Sequence, residues 1–66
     1  MAQVEELLRE TRQTLGIFES RLLLALAMQV RVERLVAHPE DEVTPEAESS
    51  FRDYAARRLA GEPYPY

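Results

Sequence analysis

Apolar positions along this chain recur at helical spacing. Val4, Leu7, Leu8, Thr11 and Leu15 follow the three-and-four rhythm of one helix face, while Glu5 with Arg9 and Glu6 with Glu10 fall on the outer side. Gly16 ends that pattern. Ile17 and Phe18 then read as a short apolar connection, with Glu19 or Ser20 placed to accept from the free N–H groups of a new helix start. From Leu22 to Val30 the sequence is apolar almost all the way round, which predicts a central helix enclosed by its neighbours. Arg31, Glu33 and Arg34 next alternate with Val32, Leu35 and Val36, so a narrower apolar face continues until Pro39 forces a stop near Ala37. No glycine or proline divides Ser20 to Ala37, which reads either as one helix or as two meeting in a bend near Gln29. The drift of apolar positions after Val30 favours the bend.

Pro39-Glu40-Asp41-Glu42 is a polar, acidic turn. Thr44-Pro45-Glu46 supplies a helix start with a cap, a first-turn proline and a carboxylate near the positive end of the dipole. Ala47, Phe51, Tyr54, Ala55 and Leu59 form the inward stripe of this last helix, with Arg52, Asp53, Arg57 and Arg58 mostly turned to water. Gly61 is placed as a left-handed cap, and Pro63 and Pro65 lack the N–H a continuing helix needs. These elements predict an all-α fold, a small helical bundle of three to five helices in a single domain over residues 1–60. Residues 61–66 are expected to open a linker at which the chain has been cut.

The chain has 66 residues. A domain of this size buries only about 60% of the surface its unfolded chain exposes, so modest stability is expected and a roomy catalytic cleft is hard to build. There is no cysteine, which removes disulfides, thiolate nucleophiles and thiolate metal sites together. A net charge of -4 repels phosphate backbones, so nucleic acid is not an expected partner. All eight basic residues are arginine, and asparagine is absent too, a bias that a GC-rich genome explains more simply than selected bidentate chemistry. The apolar run from Leu22 to Met28 is far shorter than the roughly 20 residues of a membrane span. Glu5, Glu6 and Arg9 precede any apolar block, unlike a secretory signal, and a cytoplasmic protein is expected.

Candidate chemistry is sparse. His38 is the sole histidine, and a metal site around it would need Glu40, Asp41 or Glu42 brought to one side. A histidine in a last helical turn more simply donates to free carbonyls and suits that end of the dipole. Ser20, Ser49 and Ser50 have no histidine close by in sequence, and the carboxylates are scattered over helix faces, so neither a triad nor an acid/base pair is expected. Tyr64 and Tyr66 flank Pro65 in the exit segment, which reads either as a docking strand or as a linker resting one ring on the bundle.

A more specific signal comes from four elements in order. L-L-L-A at Leu22 to Ala25, A-H-P at Ala37 to Pro39, T-P-E at Thr44 to Glu46, and R-R-L-A-G-E-P at Arg57 to Pro63 resemble the N-terminal domain of the HemK/PrmC family. Members of that family are methyltransferases that modify the glutamine of peptide chain release factors. The resemblance runs from Leu22 to Tyr66. It departs at Glu19-Ser20-Arg21, where the family usually has D-A-E, and at Gln29, where the family commonly has glycine. It implies a helical substrate-recognition domain with no catalytic, cofactor or metal residues of its own. S-adenosylmethionine and the substrate amide would be held by a catalytic domain in cis, beyond Tyr66. The release factor is the implied partner, and Arg57, Arg58, Glu62 and Pro63 near the exit are candidate contacts with it or with the catalytic domain.

Two readings outside that family are also open. A stand-alone interaction module could pair two copies through Leu22, Leu26 and Val30, whereas the domain reading expects a monomer. A small hydrolase would have to depend on His38.

Overall fold

The apolar stripes become four helices in a computed structural model of the protein, which describes residues 2–61. Helix α1 spans Val4–Leu15, α2 Ile17–Met28, α3 Val32–Ala37 and α4 Pro45–Leu59. Among the described residues there is no strand, only one antiparallel bridge between Gln3 and Glu42. The fold is the expected small all-α bundle. Helix α2 is its centre and packs against the other three, and α1 also meets α4.

Helix α1 has no side-chain cap, yet its first N–H groups are not left bare. Val4 donates to the Asp41 carbonyl at 2.9 Å and Glu5 to the Pro39 carbonyl at 3.0 Å, while Val43 returns a bond to the Ala2 carbonyl at 2.7 Å. Backbone carbonyls of the acidic turn thus do what a serine or aspartate cap does elsewhere. Val43 is fully buried as a result and joins the core, a role its position beside three acidic residues does not announce.

Between α1 and α2 there is one residue. Gly16 has φ 84° and ψ 157°, a conformation almost reserved for glycine, and serves as the end of one helix and the start of the next. The expected connection at Ile17 and Phe18 is therefore absent: both residues lie inside the first turn of α2. Ser20 is not a cap either. It is fully buried, its hydroxyl donating to the Gly16 carbonyl at 2.8 Å and lying 2.8 Å from the Thr11 hydroxyl, which also lies 3.0 Å from the Leu7 carbonyl.

Ser20 to Ala37 is two helices. At Gln29 the backbone turns left-handed, φ 58° and ψ 43°, and the chain closes α2 with a Schellman pair: Val30 N–H to the Ala25 carbonyl at 3.0 Å, Gln29 N–H to the Leu26 carbonyl at 3.2 Å. Helix α3 then ends at Ala37, ahead of Pro39 as expected. Helix α4 starts as its sequence says, with the Thr44 hydroxyl accepting from Ala47 N–H at 3.2 Å and Pro45 in the first turn. It closes before Gly61, whose φ of 93° is the left-handed cap anticipated there.

Val4, Leu7, Leu23, Leu24, Leu35, Val43 and Phe51 are sealed in the core. Two expectations about packing need correction. Helix α2 is not enclosed all round, since Leu22 is 49% exposed and Leu26 only half-buried. Leu59 is not inward either, at 55% exposed. No helix among the described residues is long and apolar enough to cross a membrane.

Candidate functional site

Where α4 ends, an ion pair ties it to the bundle. Arg58 Nη2 lies 3.2 Å from Glu19 Oε1, both side chains about a third exposed, which fixes the last turn of α4 beside the first turn of α2. Arg58 was expected to face water or a partner, and this contact gives it an internal anchor. Arg57 remains on the surface, its Nε 3.2 Å from Asp53 Oδ2 one turn back. Glu62 and Pro63, the other two residues expected to make contacts, lie outside the described residues, as do Tyr64 and Tyr66.

Along α2 runs a surface for which, from Leu22 onward, the sequence allowed two readings, as part of an enclosed helix or as a seam through Leu22, Leu26 and Val30. Phe18 is 76% exposed, and Leu22, four residues on, shares its side of α2. Leu22 and Leu26 open onto a groove of about 390 Å³ continued by Val30 and Val32, with Arg31 and Glu33 at its rim. Apolar side chains gathered this way mark a contact surface more often than an accident of composition. The signal was present in the sequence as the spacing 18, 22, 26, 30. Whether that surface was open was not legible, because α2 is apolar almost all round from Leu22 on and three neighbours are too few to cover it.

Elsewhere on the surface, α1, the start of α2 and α3 line a second, open pocket of about 230 Å³. Arg9 and Arg12 reach it from α1 and Arg21 from α2, against apolar walls that include Leu8, Ile17 and Leu35. Among the described residues, none of these three arginines forms an ion pair. The Nε–H of Arg21 is shut off from solvent without an acceptor, an omission worth about 1–3 kcal/mol in a folded protein. Of the other five arginines, Arg34, Arg52, Arg57 and Arg58 each hold a carboxylate, and Arg31, at the Leu22 groove, holds none among the described residues. Arg52 holds Glu48 at 2.9 Å and Glu10 at 3.2 Å; its hydrogen bond to Glu48, with Glu10 behind it, raises its pKa above the ordinary guanidinium range.

His38 comes together with Glu40 and Asp41, their ligand atoms within 4.8 Å of one another, while Glu42 stays apart. The imidazole Nδ1 sits 3.5 Å from Glu40 Oε1; it is the His38 backbone N–H, not the ring, that meets a carbonyl, that of Arg34. Asp41 is already held by Arg34 Nε at 3.1 Å, so a cation would have to compete with a guanidinium for it. The Ser20 hydroxyl is committed to the Gly16 carbonyl, not poised beside a base. The surface therefore offers contacts, apolar in one concavity and cationic in the other.

A family model described as the PrmC N-terminal domain matches residues 1–66. No curated protein and no solved structure matches the chain.

Proposed function

The chain belongs to the family of PrmC N-terminal domains, and from that premise we propose that it is the substrate-recognition domain of an S-adenosylmethionine-dependent methyltransferase acting on the glutamine of peptide chain release factors. The family match over the whole length is the observation that carries this reading. S-adenosylmethionine belongs to a catalytic domain in cis, and this domain contributes affinity. That division suits the chemistry: an amide nitrogen is a weak nucleophile that must be held closely, and contacts remote from it can supply the binding energy for positioning. Arg57 and Arg58, together with Glu62 and Pro63 outside the described residues, are candidate contacts with the release factor or the catalytic domain.

The test is calorimetric titration of the chain with a peptide chain release factor. Saturable binding is expected, and loss of about ten-fold in affinity for Leu22→Asp, whose exposure spares the core. A release factor that leaves the chain's heat signal flat overturns the reading, and so does measurable binding of S-adenosylmethionine by this chain alone.

A second reading has its own support. Leu22, Leu26 and Val30, the seam that would join two copies, are only partly covered. Sedimentation decides: a dimer at micromolar concentration favours a self-associating module, a monomer the recognition domain.

A further inference from the structure

The pocket between α1, α2 and α3 stands out against the rest of the surface because its charge runs opposite to that of the molecule. The whole chain carries -4. The pocket has three guanidinium groups, those of Arg9, Arg12 and Arg21, against the single carboxylate of Glu5. Elsewhere Arg34, Arg52, Arg57 and Arg58 each hold a carboxylate at 3.2 Å or less. Unpaired positive charge concentrated in one concavity of an acidic protein is a place where an anion finds complementary charge locally and repulsion everywhere else.

Arg21 sharpens the case. It is half-buried, with Nε sealed and without an acceptor, so packing and not an ion pair holds its guanidinium at the pocket. Such a group has lost part of its conformational freedom before any ligand arrives, which favours binding over a mobile surface arginine. The walls decide what kind of anion fits. Leu8, Ile17 and Leu35 line the pocket, and Val36, 57% exposed, stands at its edge. A free phosphate would satisfy the arginines and leave those side chains wet, and a nucleic acid would meet the acidic field of the whole domain.

We propose that this pocket binds a protein segment in which one or two carboxylates adjoin an apolar side chain, the carboxylates pairing with Arg9, Arg12 and Arg21 and the apolar group covering Ile17 and Val36. The pocket shares no lining residue with the Leu22 groove. It stands on the pocket alone and does not require the partner to be a release factor.

The probe is a capped tetrapeptide, Asp-Glu-Phe-Leu, titrated into the isotope-labelled chain while backbone and arginine Nε–H resonances are followed, beside its neutral counterpart Asn-Gln-Phe-Leu. Shifts centred on Arg9, Arg12, Ile17, Arg21 and Val36 are expected with the acidic peptide, weakening about ten-fold or more from about 0.05 to about 0.5 M salt. Arg9→Gln with Arg12→Gln, both exposed, should lose binding about ten-fold or more and keep the wild-type melting curve, while Arg31→Gln should bind as wild type. Equal shifts from the neutral peptide, shifts elsewhere, none at all, or the same response to inorganic phosphate at equal concentration would overturn the proposal. Peptide binding without release-factor binding supports the pocket and sinks the release-factor reading; wild-type release-factor affinity in the double variant spares that reading and removes the pocket from it.

Discussion

Gly16 and Gln29 both take positive φ, one without strain and one with it. Gly16 sits where a side chain is strongly disfavoured by φ and ψ, although a methyl group there would meet no neighbour within 4 Å. Gly16→Ala should therefore cost about 1–3 kcal/mol through conformation alone, measurable by denaturant titration. Gln29 is the reverse case. A left-handed L-residue is strained by about 1–2 kcal/mol, partly offset by the entropy a glycine would lose on folding, so Gln29→Gly should stabilise the domain by about 0.5–1 kcal/mol. A fall in melting temperature would mean that the Gln29 side chain makes a contact stronger than that strain. The resemblance marked this position, since glycine is common there in the family, but sequence could not say whether glutamine had replaced the turn or merely tolerated it.

Helix α2 shows what periodicity can and cannot tell. Leu23→Ala, in a fully sealed position, should cost about 2–5 kcal/mol and unfold much of so small a domain. Leu22→Ala, one residue earlier and half exposed, should cost about 1 kcal/mol or less, and equal losses at the two sites would contradict the open flank. The sequence could not separate these leucines because a helix apolar all round has no polar face to set its orientation. Helices α1 and α4 were legible for the opposite reason: charged residues mark their wet sides, and Thr44-Pro45 marks a start by local chemistry. The boundary of α2 was not legible, since one glycine both ended a helix and began another without a linker to signal it.

At the scale of the molecule, four helices are enough to bury one side of each partner and too few to surround the central one. That shortage leaves the Phe18 to Leu26 flank open, and it is a property of assembly, invisible in any single segment. The basic pocket is similar: Arg9, Arg12 and Arg21 are unremarkable along the chain and converge only once α1 folds back on α2. Assembly also explains the acidic turn. Its carbonyls, not its carboxylates, hold the start of α1, so Glu40→Gln or Glu42→Gln should change stability by no more than about 0.5 kcal/mol. Deleting Glu40 should instead speed hydrogen exchange at the Val4 and Glu5 amides, and unchanged protection would show that those bonds matter little. At Glu40 and Glu42 what this stretch must keep is thus its count of residues and not their kind: it acts as a ruler laid between α3 and α4, two of whose markings can be rewritten so long as none is added or erased, while Val43 and Thr44 stay fixed by the core and the α4 cap.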